Sequence, residues 1–226
     1  MKDYKHFINY FRRPDSIAST GMGLLVAGVI LFFLGWWFFW ILFYIGIPLL
    51  PVGFALYVYG SSGCADENEL KKIIKQNTDT LSFADVKESP DYRKRLPRNV
   101  TEEDLGGYVY SDSVLIKKAK SGAIVSSEYL AGKMLILNDA LLIRTRSFSF
   151  IADELRENEM EIPFALIENV ELERESKSFI IGKKEVAVKL CTLVITHEGV
   201  QTRLARKDDI YADELILTLN RLLKKA

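Results

Sequence analysis

The chain has 226 residues and carries 30 basic and 30 acidic side chains, for a net charge of zero, with two cysteines. This balance excludes a general nucleic-acid binder, which needs a surplus of Lys and Arg to displace phosphate counterions. Two cysteines likewise exclude a disulfide framework and agree with a reducing compartment. The charge is unevenly spread: between Ser16 and Cys64 there is none at all.

Residues 1–15 are the first predicted segment. Tyr4, Phe7, Ile8 and Phe11 recur at helical spacing, with Lys5 and Arg12 among them and Pro14 closing the run. The pattern predicts a short amphipathic helix lying in a membrane interface, with Phe7 and Phe11 sunk at the headgroup boundary and basic side chains meeting anionic lipid. The alternative is a terminal turn packed on a soluble domain.

Residues 16–62 follow as a predicted transmembrane hairpin. Residues 21–60 are almost wholly apolar or aromatic, and at ~1.5 Å rise per residue they measure about twice the ~30 Å hydrocarbon layer. A signal peptide would have a much shorter apolar region. Trp36, Trp37 and Trp40 fall at mid-stretch, and indole rings favour the headgroup level, so the turn is expected at residues 35–39, between spans at 16–34 and 40–60. Gly23 with Ala27, and Gly46 with Gly53, are the small residues expected to let the helices touch. Pro48 and Pro51 are expected to kink or break the second span. Neither span holds an Asp, Glu, Lys, Arg or His, so no ion or proton path is indicated. Lys2, Lys5, Arg12 and Arg13 precede the hairpin and Lys71, Lys72 and Lys75 follow it. By the positive-inside rule this predicts a multi-pass cell-membrane protein with its N-terminus and C-terminal domain in the cytoplasm. There Asn99-Val100-Thr101, a glycosylation acceptor pattern, would be idle. Cys64 is juxtamembrane and open to lipidation, with the free thiol as the alternative.

Residues 63–106 are read as a juxtamembrane helix over 66–76 and a polar linker over 77–106 punctuated by Pro90, Pro97, Gly106 and Gly107. Removing the four basic and two acidic residues before the hairpin from thirty of each leaves the remainder of the chain at a net charge of −2. From 107 the pattern switches to period two, with strands predicted at 108–110, 114–118, 123–130, 133–137, 140–148, 161–165, 167–173, 185–196 and 200–205. Turns are expected at Ser121-Gly122, Ala131-Gly132, Asn138-Asp139 and His197-Glu198-Gly199, and a bulge near Cys191-Thr192 is expected to reconcile two apolar phases. A closing helix begins at an Asp208 N-cap and presents Ala212, Leu215, Ile216, Leu219, Leu222 and Leu223 as one stripe. The fold class is thus a two-helix membrane hairpin plus a cytoplasmic antiparallel β domain, curled and capped by a C-terminal helix.

The run Lys133-Met134-Leu135-Ile136-Leu137-Asn138-Asp139-Ala140-Leu141-Leu142-Ile143-Arg144 is followed by the strand pair around Ile162-Pro163, Ile167 and Val170 and by the leucine-rich helix. Together these resemble bacterial pleckstrin-homology-like domains and their GRAM-type relatives over residues 107–226. The resemblance implies a PH-like domain beside a two-span anchor, with Lys133, Arg144 and Arg146 echoing the hairpin cations of phosphoinositide binders. Arg forks grip phosphate oxygens well, but alternating charges also belong on any strand's wet face. Arg93, Lys94 and Arg95 form a second basic run able to lie on anionic headgroups, or simply to be solvated.

The sequence holds no catalytic constellation. His6 and His197 are far apart and lack metal-ligand spacing with cysteine, no phosphate loop or nucleophile elbow is present, and Glu154, Glu157, Glu159 and Glu161 read as a solvated loop rather than a metal site. The expectation is a binding module with no enzymatic activity, metal, cofactor or nucleic acid. It would work as a scaffold or regulatory subunit on a protein partner or a second copy, the alternative being an anionic-lipid sensor.

Overall fold

A computed structural model describes residues 4–14, 16–37, 40–181 and 184–224. It divides into two compact units, Met1–Glu67 with Ala119–Ala123, and Asn68–Lys118 with Ile124–Ala226.

In the first unit α1 spans Tyr4–Arg12, α2 Ser16–Trp37 and α3 Trp40–Ser61. Both long helices are apolar and uncharged and run long enough to cross a membrane. α2 continues through Trp37, three residues beyond the expected end of the first span; of the expected turn, Phe38 and Phe39 lie outside the described residues. α3 runs unbroken through Pro48 and Pro51. The helices meet along glycines seven residues apart, Gly21, Gly28 and Gly35 on α2 and Gly46, Gly53 and Gly60 on α3. A Cβ on Gly53 would stand 2.7 Å from the backbone nitrogen of Leu25, and one on Gly46 would stand 2.7 Å from that of Phe32. Seven residues make two turns, so each set keeps to one face and brings backbone against backbone. Gly46 and Gly53 thus sit where the sequence places them, but a Cβ on Gly23 meets nothing within 4 Å. The α2 seam is one phase away from the Gly23–Ala27 pair.

α1 is pinned to the end of α3. The Arg13 guanidinium donates to the carbonyls of Tyr59 (2.5 Å) and Ser62 (2.9 Å) and stands 4.2 Å above the Tyr59 ring. A helix C-terminus leaves carbonyls unsatisfied and partly negative, so a cation belongs there. Asn9 adds a bond to the Gly63 carbonyl at 3.0 Å, and the Ala65 N–H donates to the His6 carbonyl.

The second unit begins with α4 (Glu67–Asp79), α5 (Ala84–Glu88) and α6 (Pro90–Arg93), then β1 (Thr101–Tyr108), β2 (Ile116–Lys118), β3 (Ile124–Ser126), β4 (Glu128–Ile136), β5 (Ala140–Ser149) and β6 (Leu155–Pro163). A single 3-10 turn leads to β7 (Ile167–Ile181), β8 (Lys184–His197), β9 (Val200–Arg206) and α7 (Ile210–Leu223). All pairings are antiparallel. One sheet has the order β1-β4-β5-β6, another β7-β8-β9, and β2-β3 is a separate ribbon. The main core lies between the two sheets and α7, where Met134, Ile143, Ile162, Leu193, Ile195, Leu204, Leu215 and Leu219 are buried together. Arg206 on β9 donates to the Asp104 carbonyl (2.6 Å) and pairs with Glu103 (3.2 Å), joining the last strand to the first.

Several expected boundaries move. The segment expected as a linker to residue 106 contains α5, α6 and most of β1, so the expected domain start at 107 falls inside a strand. Ala131-Gly132 is no turn but the middle of β4, where Gly132 pairs with both Leu105 and Thr145. Glu154 to Glu161, expected as a loop, is mostly β6. β8 pairs without interruption through Cys191-Thr192; the irregularity lies between Ile167 and Asn169 instead. Asp209, not Asp208, caps α7, accepting from the Ala212 N–H at 3.1 Å. The turn at His197-Glu198-Gly199 stands as expected, with Glu198 and Gly199 at positive φ.

Candidate binding surfaces

Along β5 the side chains alternate, so Leu142, Arg144 and Arg146 share one face of the first sheet. That face is covered by an arm made of α5, α6 and the chain beside them. Phe83 and Val86 pack with Leu135, Leu137, Ala140 and Leu142, flanked by Tyr92 and Leu96. Arg144 sits over the Phe83 ring at 5.0 Å. It makes a forked pair with Asp85, both bonds at 2.7 Å, and reaches Glu159 at 2.6 Å and the Ser82 carbonyl. The hydrogen bond from Arg144 holds the Asp85 carboxyl down at about 2. Arg146 pairs with Glu157 at 2.5 Å and donates to the Thr80 hydroxyl. Arg95 bridges Glu161 (2.5 Å) and Asp139 (2.9 Å) while Tyr92 donates to Glu161, a bond that raises the Tyr92 phenol above its ordinary value. Lys133, directly across from Arg144 on the same face, stands 3.9 Å from Asp104.

The basic residues singled out by sequence therefore fall into two groups. Lys133, Arg144, Arg146 and Arg95 have acidic partners inside the domain. Arg93 and Lys94 are exposed. What sequence reading missed is the acid that answers each arginine, Asp85 from a helix about sixty residues upstream and Glu157 and Glu159 from the neighbouring strand. Only the Glu-x-Glu-x-Glu alternation opposite Arg-x-Arg carries a local trace of it.

In the first unit Trp36, Trp37 and Trp40 are 71%, 76% and 74% exposed, together with Tyr44 and Ile41. Phe11 is buried and Phe7 half-buried, so α1 turns Tyr10 and Phe11 inward rather than offering all its aromatics to the surroundings. His197 meets the Thr202 hydroxyl at 3.0 Å across a strand pair. Cys191 is buried, and burial pushes its thiol up; Cys64 is half-buried at the end of α3. Among the described residues no group of three or more His, Cys, Asp or Glu is disposed to hold a metal.

α7 buries Ala212, Leu215 and Leu219 and leaves Ile210, Tyr211 and Leu217 exposed. Ile210 and Leu217, seven residues apart, share the face opposite the buried one. Comparison with protein-family models, with curated proteins and with solved structures finds no match to this chain.

Proposed function

We infer that the chain is a membrane-anchored binding module, α2 and α3 crossing the bilayer as a hairpin and the β domain engaging a protein partner at the cytoplasmic face as a scaffold or regulatory subunit. The crossing is supported by the exposure of the apolar surface. A core helix of a soluble protein hides its large side chains, whereas here only about a tenth of the most apolar window of each helix is buried. A PH-like identity of the β domain is supported by its four-stranded and three-stranded sheets followed by a C-terminal helix.

The observation that carries the protein-partner reading is the occupancy of the cations. A headgroup phosphate at Arg144 or Arg146 would have to displace Asp85, Glu159 and Glu157 and lift an arm that buries Phe83 and Val86 completely or nearly so. Exposing two such side chains costs roughly 3–6 kcal/mol, more than the ~1 kcal/mol each that surface basic residues gain from anionic lipid. The exposed α7 residues supply an apolar helix face of the kind that partner grooves accept. The lipid-sensing reading retains one observation in its favour, the exposure of Arg93 and Lys94.

Flotation of residues 68–226 with anionic vesicles separates the two. Weak binding unaffected by Arg144→Ala/Arg146→Ala is expected, and strong salt-sensitive binding lost in that variant would overturn the preference. Photocrosslinking from Leu217 in native membranes is expected to yield a discrete protein adduct. Sidedness is tested by cysteine labelling at Thr101→Cys in a chain lacking Cys64 and Cys191, where labelling from outside intact cells would reject the cytoplasmic placement.

A further inference from the structure

The face of the first sheet that looks into the core changes chemistry along its length. In successive cross-strand rows it carries Met134, Ile143 and Met160, then Gly132, Thr145 and Asn158, then Leu130, Ser147 and Arg156, then Glu128 and Ser149. The core ends at the first of these rows, and the face continues as hydroxyls and charges. There a cavity of about 190 Å³ opens, lined by Glu128, Ser147, Phe148, Ser149, Glu154 and Arg156. The strand register sets side chains from β4, β5 and β6 around this one space.

Many arginines of the domain are answered by acids, while others such as Arg93 and Arg221 are exposed on the surface. Arg95, Arg144, Arg146, Arg174, Arg203 and Arg206 each pair with an acid. Glu128, Glu154 and Arg156 line one cavity, yet among the described residues none of their side chains forms an ion pair or hydrogen bond. Two carboxylates, one guanidinium and the Ser147 hydroxyl around one small space can answer an ammonium and a carboxylate together, the Ser149 hydroxyl being held by the Ser127 carbonyl and the Ile151 N–H. A phosphate would meet two negative groups, and a simple cation would meet Arg156. The volume equals roughly six water-sized spaces, enough for the charged head of a small amino acid.

We propose that this cavity is a binding site for a small zwitterion of the α-amino-acid class, its ammonium held by Glu128 and Glu154, its carboxylate by Arg156, and its remaining edge by Ser147. The site is independent of the membrane reading and of any protein partner.

The full-length chain in detergent, titrated calorimetrically with glycine, L-alanine and L-serine, tests this. Saturable binding of at least one is expected, with the affinity falling at least about tenfold in Arg156→Gln and in Glu128→Gln/Glu154→Gln, the scale of a lost hydrogen bond to a charged group. N-acetyl-L-alanine and L-alanine methyl ester, each lacking one charge, are expected to bind correspondingly more weakly than L-alanine. Glu154 and Arg156 are exposed, so an unchanged melting temperature is expected and checks that each variant is folded. Absence of saturable binding up to about 10 mM, the weak end of small-ligand recognition, would overturn the proposal. So would equal binding of the acetylated or esterified compound, or binding that survives both substitutions.

Discussion

Arg144 ties three pieces of chain through one planar group: the fork holds Asp85 on α5, Nε reaches Glu159 on β6, and the ring of Phe83 lies beneath. Lysine offers a single point charge and cannot reproduce this geometry, so Arg144→Lys and Arg144→Ala are both expected to destabilise the domain, by about 1–3 kcal/mol in urea unfolding. The Asp85 carboxyl is held down at about 2 by its hydrogen bond to Arg144, from an ordinary value of 3.8. A group with a depressed folded value stabilises the fold above its unfolded value and loses that contribution as pH falls through the folded one. The Asp85 contribution is therefore fully present above about pH 4, declines below it, and is lost only as pH falls through about 2. Its side chain is 65% exposed, so solvent screening leaves on the order of 1 kcal/mol. Wild type and Asp85→Asn are expected to differ by that amount in urea titrations at pH 7, with the gap shrinking below pH 4 and closing below about pH 2; a gap that does not shrink over that range would show that packing, not charge, is at stake.

At the scale of elements, the arm of α5 and α6 is part of the fold because it covers one apolar face of the first sheet. Leu135, Leu137 and Leu142 on that face have no other cover among the residues of their cluster. Phe83→Ala is expected to cost about 3–5 kcal/mol, the range for emptying a fully buried aromatic site, whereas substituting the exposed Arg93 should leave the melting curve unchanged. The helix pair makes a sharper contrast. Gly53→Leu would drive a side chain into the backbone at Leu25, while Gly23→Leu enters open space. In detergent the first is expected to separate the helices, read as lost crosslinking between cysteines placed on α2 and α3, and the second to leave them paired. These elements were unequally legible. The two apolar helices, the turn at Gly199 and the stripe of α7 follow from local composition and periodicity. β6 did not, since its alternating acids look solvated until Arg144 and Arg146 are set opposite them across a strand pair. Gly132 misleads for a related reason: a glycine inside a strand marks close approach of a neighbour, here the Leu105 side chain at 3.2 Å from where its Cβ would be, and the neighbour lies far away in sequence. The two apolar phases of β8 need no bulge, because the strand is buried on one face at Val188 and on the other at Leu193 and Ile195, as a twisted central strand allows. Of the candidate site, the cations were visible and their partners were not.

For the whole molecule, the division between units decides what can fold alone. A chain cut at residue 107 would lose most of β1, which is the edge partner of β4 along its entire length, and would also lose the arm over Leu135, Leu137 and Leu142. The unpaired edge of β4 and the uncovered apolar face would then both meet water, a combination that favours edge-to-edge association. A chain beginning at residue 68 keeps both layers, the closing helix and the link from Arg206 to Asp104. Residues 68–226 are therefore expected to express as a soluble monomer with a cooperative melt, and residues 107–226 as an aggregating or molten species, distinguishable by size-exclusion chromatography and near-ultraviolet circular dichroism. Leu219 is 1% exposed in the same core, so within the longer fragment Leu219→Glu is expected to abolish the cooperative transition. If the shorter fragment folds as well as the longer one, the arm is an appendage rather than a layer. The argument that it shields Arg144 and Arg146 from anionic lipid would then fall with it.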